Sequence, residues 1–136
     1  MNKNFLYLAI VVAFFAVITG CTDTGNEPEP DVDERDVYLG AWTCAEKSKL
    51  YGNSTYNVSI SKIGNLDSIA VSNFYNLTNS YKVTMLISSN SVTIPLQSVS
   101  NTNISGFGLL SNNKINLTYY CVDGNDKDTV TATYSK

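Results

Sequence analysis

The sequence predicts an all-β domain in residues 38–136, built as an eight-stranded antiparallel up-and-down barrel. Turn-forming residues recur about every ten to twelve positions from Tyr38 onward, as in a chain of short strands. Between these turns, apolar and polar residues alternate with a period of two, which is typical of half-buried antiparallel strands. No stretch of useful length follows the roughly 3.6-residue period of a helix. Closing such a meander removes its unpaired edges, so we expect a barrel, with a two-sheet β-sandwich as the alternative.

The eight predicted strands differ in length but share the alternating pattern. They cover residues 38–47, 55–63, 68–73, 81–88, 91–99, 102–111, 114–122 and 129–134. Because successive side chains of a strand point to opposite faces of the sheet, alternate residues are expected inside the barrel. The residues predicted to face inward are Tyr56, Val58, Ile60, Ile69, Val71, Tyr81, Val83, Met85, Ile87, Val92, Ile94, Leu96, Ile104, Leu110, Ile115, Leu117, Tyr119, Cys121, Val130, Ala132 and Tyr134.

Two of the predicted connections are two-residue hairpin turns, Ser89-Asn90 and Asn112-Asn113. Asparagine suits them because it tolerates the positive φ angles that such turns require. The Asn112-Asn113 turn sets a register in which Gly106 lies opposite Tyr119. In that register the tyrosine ring covers the gap left by the glycine.

Residues 1–20 are predicted to be a lipoprotein signal peptide. Lys3 precedes an apolar run at 5–18, which is short of the roughly 20 residues that a membrane-spanning helix needs. Ile18-Thr19-Gly20-Cys21 resembles the lipobox of bacterial lipoproteins. The resemblance implies cleavage before Cys21 and acylation of that cysteine, and several acyl chains hold a protein stably at a membrane. An ordinary secretory signal followed by a chance cysteine is the alternative.

Residues 21–37 are predicted to form a lipidated, acidic and flexible tether. Their acidic side chains repel one another and Pro28 and Pro30 stiffen the chain, so we expect an extended linker. Thr22 follows the lipobox cysteine and is not acidic, which favours the outer membrane over the inner one. Acidic residues soon after the cysteine also resemble the surface-export signal of Bacteroidetes lipoproteins. A periplasmic and a cell-surface location both stay open.

Charge and composition argue against several classes of function. The chain has 12 acidic and 9 basic residues, for a net charge of −3, which argues against nucleic acid as a partner. It contains no histidine, and this excludes a Ser-His triad and a histidine-based metal site. The acidic loop 123–128 lacks calcium-binding spacing because Lys127 falls at a ligand position. We therefore expect no enzymatic activity, no cofactor and no metal.

Gly40 and Trp42, at the start of the first strand, form a Gly-x-Trp sequence that resembles the opening motif of lipocalins. Further motifs follow in order, with Asn-Phe-Tyr-x-Leu at 73–77, Ile-Pro-x-Gln at 94–97, Ile-Ser-Gly-x-Gly at 104–108 and Thr-Ala-Thr-Tyr at 131–134. This set resembles the small lipocalin-like lipoproteins of Bacteroidetes. The resemblance covers nearly the whole domain and implies a calycin-type barrel, but it implies little about activity. Lipocalins also place an arginine near the last strand to cover the tryptophan, and this chain has none there.

Cys44 and Cys121 are candidates for a disulfide, because a secreted domain folds in an oxidising compartment. The family that the chain resembles often has a cysteine in the last strand, where this chain has Val130. If residues 124–127 form the last loop, Cys121 lies opposite Val130 and about 9.6 Å, two strand spacings, from Cys44. That separation exceeds the usual Cα limit of about 7 Å, so a bridge needs a local shift. Bonded and free thiols both stay open.

Three aromatic residues in the predicted loops are candidate binding residues. They are Tyr51 in the first loop and Phe74 and Tyr75 beyond the third strand. Exposed loop aromatics would stack on a sugar or contact a partner, whereas buried ones would plug one end of the barrel. The corresponding function is a lipocalin-like site for a small apolar or glycan ligand in the barrel mouth. The bulky inward residues argue against a large cavity, since small barrels with such interiors are packed solid.

Phe107, Leu109 and Tyr120 are apolar residues on the predicted outer face of the barrel. In the predicted register Phe107 lies diagonal to Tyr120, within reach of an aromatic contact. We expect these residues to form a small interaction patch. The favoured function is therefore a membrane-anchored, non-catalytic interaction or accessory module of the cell envelope with a protein partner.

Overall fold

The computed structural model describes residues 32–64 and 66–136, and these form a closed eight-stranded antiparallel β-barrel. The strands are β1 (Gly40–Ser48), β2 (Gly52–Lys62), β3 (Ser68–Ser72), β4 (Lys82–Ser88), β5 (Ser91–Val99), β6 (Thr102–Ser111), β7 (Lys114–Asp123) and β8 (Asp126–Ser135). Each strand pairs with its neighbours in sequence, and β8 pairs back with β1. Two short 3₁₀ helices cover Asp36–Tyr38 and Phe74–Asn76. The predicted up-and-down barrel is confirmed, and its closure excludes the two-sheet sandwich.

The predicted signal peptide, Cys21 and the predicted tether up to residue 31 lie outside the described residues. From Val32 onward the chain belongs to the same compact unit as the barrel. Within the described ranges, no helix is both long enough and apolar enough to cross a membrane.

Inward-pointing side chains alternate along each strand and fill the barrel with one packed core. In β1, Trp42, Cys44, Glu46 and Ser48 are buried, whereas the residues between them are exposed. The predicted inward residues are buried or packed against this core, with two exceptions. The alternation read from the sequence therefore identifies nearly the whole interior.

The two exceptions are Tyr81 and Leu96, which were predicted to face inward and are exposed. The pairing of β5 with β6 shifts register between Ile94 and Gln97. Such a bulge reverses the alternation of side chains, so Leu96 points outward. Tyr81 precedes β4 and instead belongs to a turn, in which its N–H donates to the Thr78 carbonyl (3.3 Å). No strand pairing therefore holds its side chain inside.

Both predicted two-residue hairpins are confirmed by the pairing of the residues that flank them, with Ser88 opposite Ser91 and Ser111 opposite Lys114. Gly106 lies opposite Tyr119, as predicted. A Cβ atom on Gly106 would lie 2.5 Å from the Tyr119 Cβ, so only glycine fits there without movement of the neighbouring strand.

The predicted loop at 124–127 is wrong. Asp123 pairs with Asp126, so the β7–β8 connection is a two-residue turn of Gly124 and Asn125. Gly124 has a φ of 59°, and glycine adopts this left-handed conformation without steric cost. The shorter turn places Cys121 opposite Asp128 and not opposite Val130.

One end of the barrel is closed by the residues that precede β1. The Trp42 indole N–H donates to the Tyr38 carbonyl (2.7 Å), and the Tyr38 hydroxyl donates to the Ser89 carbonyl (3.0 Å). Lys136 Nζ lies 4.4 Å from the centroid of the Trp42 ring and donates to the Leu39 carbonyl (2.8 Å). Lys136 therefore covers the tryptophan, a position for which the sequence offers no arginine.

Two residues of the predicted tether also pack on this closed end. Arg35 is buried and donates to the Asp33 carboxylate (2.7 Å) and to the carbonyls of Ile63 (3.3 Å) and Ser68 (3.4 Å). The hydrogen bond from the Arg35 side chain holds the pKa of Asp33 well below its usual range. Gly40, with a φ of 102°, then leads the chain into β1. The folded domain therefore includes residues before 38.

Candidate functional site at the barrel mouth

The end of the barrel opposite the Trp42 cap contains an open cleft of about 370 Å³. It lies among the β1–β2, β5–β6 and β7–β8 turns and the β3–β4 connection, which an up-and-down barrel brings to the same end. The lining residues are Glu46, Leu50, Tyr51, Ser54, Tyr75, Asn76, Leu77, Thr102, Cys121, Asp123, Asp126 and Asp128. We refer to this cleft as the mouth.

Glu46 lines the mouth from inside the barrel, where only 7% of its surface is exposed. It points inward because it shares the face of β1 that carries Trp42 and Cys44. Its Oε2 atom accepts hydrogen bonds from the hydroxyls of Tyr56 and Tyr119. Burial raises the pKa of both tyrosines well above the ordinary value, with Cys44, Glu46 and the other phenols adding to the shift. Both phenols therefore keep their protons and donate to the carboxylate.

The Oε1 atom of Glu46 has only one weak hydrogen bond among the described residues. Oε1 has only a 3.5 Å contact with the Ser54 hydroxyl, and Ser54 also lines the mouth. The ion pairs of the described residues join Asp33 and Asp36 to Arg35 and Lys62, all at the closed end. Glu46 thus has hydrogen bonds but no cationic partner within the described part of the chain.

Asp128 holds the mouth together from β8. It is buried, and its carboxylate accepts hydrogen bonds from the Ser48 and Tyr75 hydroxyls and from the N–H groups of Lys49 (2.9 Å) and Leu50 (3.2 Å). Burial alone would raise the pKa of Asp128. The hydrogen bonds from Ser48, Tyr75 and the two N–H groups outweigh that effect and hold the pKa below its ordinary value. The carboxylate fixes the β1–β2 turn and Tyr75 against β8.

Tyr75, a predicted binding residue, lies in the wall of the mouth. Its ring is edge-on to Tyr119, with 6.1 Å between centroids, and tilted against Tyr51 at 6.3 Å. Its backbone is left-handed, with a φ of 54°, a conformation that costs roughly 1–2 kcal/mol for a residue other than glycine. The hydrogen bond from Tyr75 to Asp128 (2.8 Å) offsets part of this cost. The hydrogen bond to Asp128 therefore holds the Tyr75 ring in the wall of the mouth.

The other two loop aromatics have different environments. Tyr51 is exposed and lines the mouth beside Tyr75. Phe74 is fully buried and packs on Tyr119, with 4.6 Å between ring centroids. Phe74 thus plugs the barrel, the alternative that the sequence left open. Tyr51 is exposed, whereas Tyr75 is half-buried and packs against the core.

The candidate disulfide between Cys44 and Cys121 is absent, and both cysteines are buried free thiols. Cys44 lies opposite Tyr134 of β8, whereas Cys121 lies opposite Asp128 of the same strand. These two partners are six positions apart, or about 20 Å along a strand, so the thiols are at different depths in the barrel. Burial raises the pKa of each thiol to about 12.

Phe107, Leu109 and Tyr120 are not part of the mouth. They are 58%, 56% and 43% exposed on the outer face of β6 and β7. Phe107 pairs with Thr118, two residues from Tyr120, so the predicted diagonal arrangement is present. Leu86 of β4 is also exposed, and Thr93 alone separates it from Phe107. We call Leu86, Phe107, Leu109 and Tyr120 the outer apolar strip.

Sequence reasoning missed Glu46 and Asp128 as residues of the site. The alternation in β1 placed Glu46 on the face of Trp42, and this signal was sufficient to predict its burial. Asp128 carries the same signal, because it lies on the face of β8 that Val130, Ala132 and Tyr134 share. The predicted strand began one residue later, at Thr129, because the short β7–β8 turn was not foreseen. Within residues 32–64 and 66–136, no group of three or more histidine, cysteine, aspartate or glutamate side chains is placed to hold a metal ion.

No protein-family model matches the chain, and no curated protein matches its sequence. The mouth and the outer apolar strip are the two features of the barrel that point to a function.

Proposed function

We propose that this chain is a non-catalytic binding protein of the cell envelope that holds a small ligand in the mouth of its barrel. The observation that carries the proposal is the cleft of about 370 Å³, which lies within the range of about 300–1,000 Å³ that is usual for ligand sites. The Asp128 hydrogen bonds set the shape of this cleft before any ligand arrives. Preorganised walls favour binding because few side chains and loops have to become ordered when the ligand binds.

The proposed setting follows from the start of the sequence. Ile18-Thr19-Gly20-Cys21 supports lipidation of Cys21 and anchoring to the outer membrane, on its periplasmic or cell-surface face. The closed up-and-down barrel supports membership of a lipocalin-like group, since such barrels carry ligands in their mouths. Binding, as opposed to catalysis, is supported by the carboxylate of Asp128, whose hydrogen bonds serve to hold the walls of the mouth.

Native mass spectrometry of the full chain, purified in a mild detergent from its own host, tests the proposal. We expect an additional mass of a few hundred daltons that disappears on denaturation. The variant Ser54→Trp should lose it, because Ser54 is an exposed lining residue and the indole would fill the mouth. The matched control Leu96→Trp adds the same ring at an exposed position outside the mouth and should keep it. A bare mass for the native chain would contradict the proposal.

A second candidate function is an accessory module that binds a partner protein, and the outer apolar strip favours it. Four exposed large apolar residues lie on the outer face of β4, β6 and β7, with Thr93 of β5 between Leu86 and Phe107. Exposed apolar patches commonly mark interaction sites. A photo-crosslinker at Thr93, inside the strip, should capture one discrete partner in intact envelopes. The same crosslinker at Thr55, on β2 outside the strip, should not. Equal capture from both positions, or capture from neither, would count against this function.

A further inference from the structure

We propose that the ligand of the mouth carries a protonated amine or a guanidinium group, which pairs with the carboxylate of Glu46. This inference rests on the proposed function and names the ligand class of the same site.

Glu46 is a buried carboxylate, 7% exposed, that has no cationic partner among residues 32–64 and 66–136. Such a carboxylate is costly, because burial removes most of its hydration. The Tyr56 and Tyr119 hydroxyls compensate in part, but both donate to Oε2. Oε1 keeps only its 3.5 Å contact with Ser54. A ligand N–H group that reached Oε1 would supply both a hydrogen bond and the missing positive charge.

The charges around Glu46 are also acidic. Asp123 and Asp126 are exposed residues that line the mouth, and Asp128 lies deeper. Of the described residues that line the mouth, none is a lysine or an arginine. A concave site with charge of one sign attracts ligands of the opposite sign. Of the two buried carboxylates in the mouth, Asp128 already accepts four hydrogen bonds, whereas Glu46 has capacity left for a ligand.

The walls of the mouth also suit an organic cation. The Tyr51 and Tyr75 rings lie side by side in the mouth, and the faces of aromatic rings attract cations. Leu50 and Leu77 provide apolar surface for a hydrocarbon body. The buried Thr102 also lines the mouth and adds a hydroxyl to its wall. A compact organic cation uses all of these features, whereas an anionic ligand is opposed by the carboxylates.

The same cationic group has two possible sources. It belongs either to a free organic amine or to a lysine or arginine side chain that a partner protein inserts into the mouth. The probes below separate the two.

The test uses three molecules of one shape, cyclohexylmethylamine, cyclohexylmethanol and cyclohexanecarboxylate, titrated into the full chain in detergent micelles by calorimetry. We expect the amine to bind at least tenfold more tightly than the alcohol, a difference of about 1.4 kcal/mol, and the carboxylate to bind weakest. In Glu46→Gln, which keeps an acceptor for the two phenols, the amine and the alcohol should differ by less than about twofold. Asp67→Asn removes the same charge from an exposed position outside the mouth and should keep the full preference.

Equal or tighter binding of the alcohol or the carboxylate would overturn the inference and leave the mouth as a ligand site. Binding of none of the three would also overturn it, whereas the host-derived mass tests the proposed function separately.

If Glu46→Gln does not fold, competition on the native chain decides the question. Methylammonium should then weaken amine binding more than equal concentrations of sodium do, and equal effects would contradict the pairing. Tighter binding of N-acetyl-lysine methylamide than of the free amine would identify a protein side chain as the source, and the reverse would identify a metabolite.

Discussion

Tyr119 and Tyr134 place the same side chain in the same core, but only one of the two hydroxyls has a hydrogen-bond partner in the part of the chain that the structure describes. Both are fully buried. The Tyr119 hydroxyl donates to Glu46, whereas the Tyr134 hydroxyl has no hydrogen-bond partner among the described residues. A buried donor left unpaired loses its hydration without compensation. The sequence alternation predicts that both side chains point inward, but it cannot predict which hydroxyl meets an acceptor, since Glu46 is 73 residues from Tyr119 in the chain.

We expect Tyr134→Phe to raise the free energy of unfolding by about 1 kcal/mol, because it removes the unpaired hydroxyl and leaves the ring. Tyr119→Phe should lower it by about 1.5–3 kcal/mol, since a hydrogen bond to a charged group is lost. Urea unfolding of the two variants measures both effects. A destabilised Tyr134→Phe would show that its hydroxyl has a partner in solution.

At the scale of strands and turns, local patterns predicted most of the architecture. The Asn112-Asn113 turn fixed the pairing of Gly106 with Tyr119, because a two-residue hairpin determines the register of both strands. The prediction that Leu96 faces inward is wrong for a non-local reason. Where β4 and β5 separate, the Gln97 side chain bonds to the backbone N–H and carbonyl of Thr84 (2.8 Å each) and replaces strand pairing. A pattern of period two carries no sign of such a replacement.

For the molecule as a whole, the buried thiols and phenols are expected to lower the free energy of unfolding at alkaline pH. Burial raises the pKa of Cys44 and Cys121 from 9.0 to about 12 and that of Tyr56, Tyr119 and Tyr134 above the ordinary value of a tyrosine. These groups are neutral when protonated and charged when ionised. Because burial disfavours the charged form, they stay protonated in the folded chain. The unfolded chain releases their protons above about pH 9 and gains free energy that the folded chain does not.

We therefore expect stability to be unaffected by these groups below about pH 9 and to fall as the pH rises toward 12. Each thiol contributes a slope of at most about 1.4 kcal/mol per pH unit in that range. Urea unfolding at pH 8, 9, 10 and 11 measures the loss. The double variant Cys44→Val, Cys121→Val should lose less stability between pH 9 and 10 than the native chain does. Identical profiles for the two proteins would contradict burial of the thiols in solution.

The sequence by itself determined the all-β class, the number and order of the strands, two hairpin turns and nearly all of the inward face. These features follow from local patterns, since alternation and turn chemistry act over a few neighbouring residues. Only the tertiary structure decided that Glu46 of β1 meets Tyr56 of β2 and Tyr119 of β7, and that Asp128 of β8 reaches the β1–β2 turn. Closure of the barrel returns β8 to β1, and the resulting contacts join residues 70 to 80 positions apart, which no local period encodes.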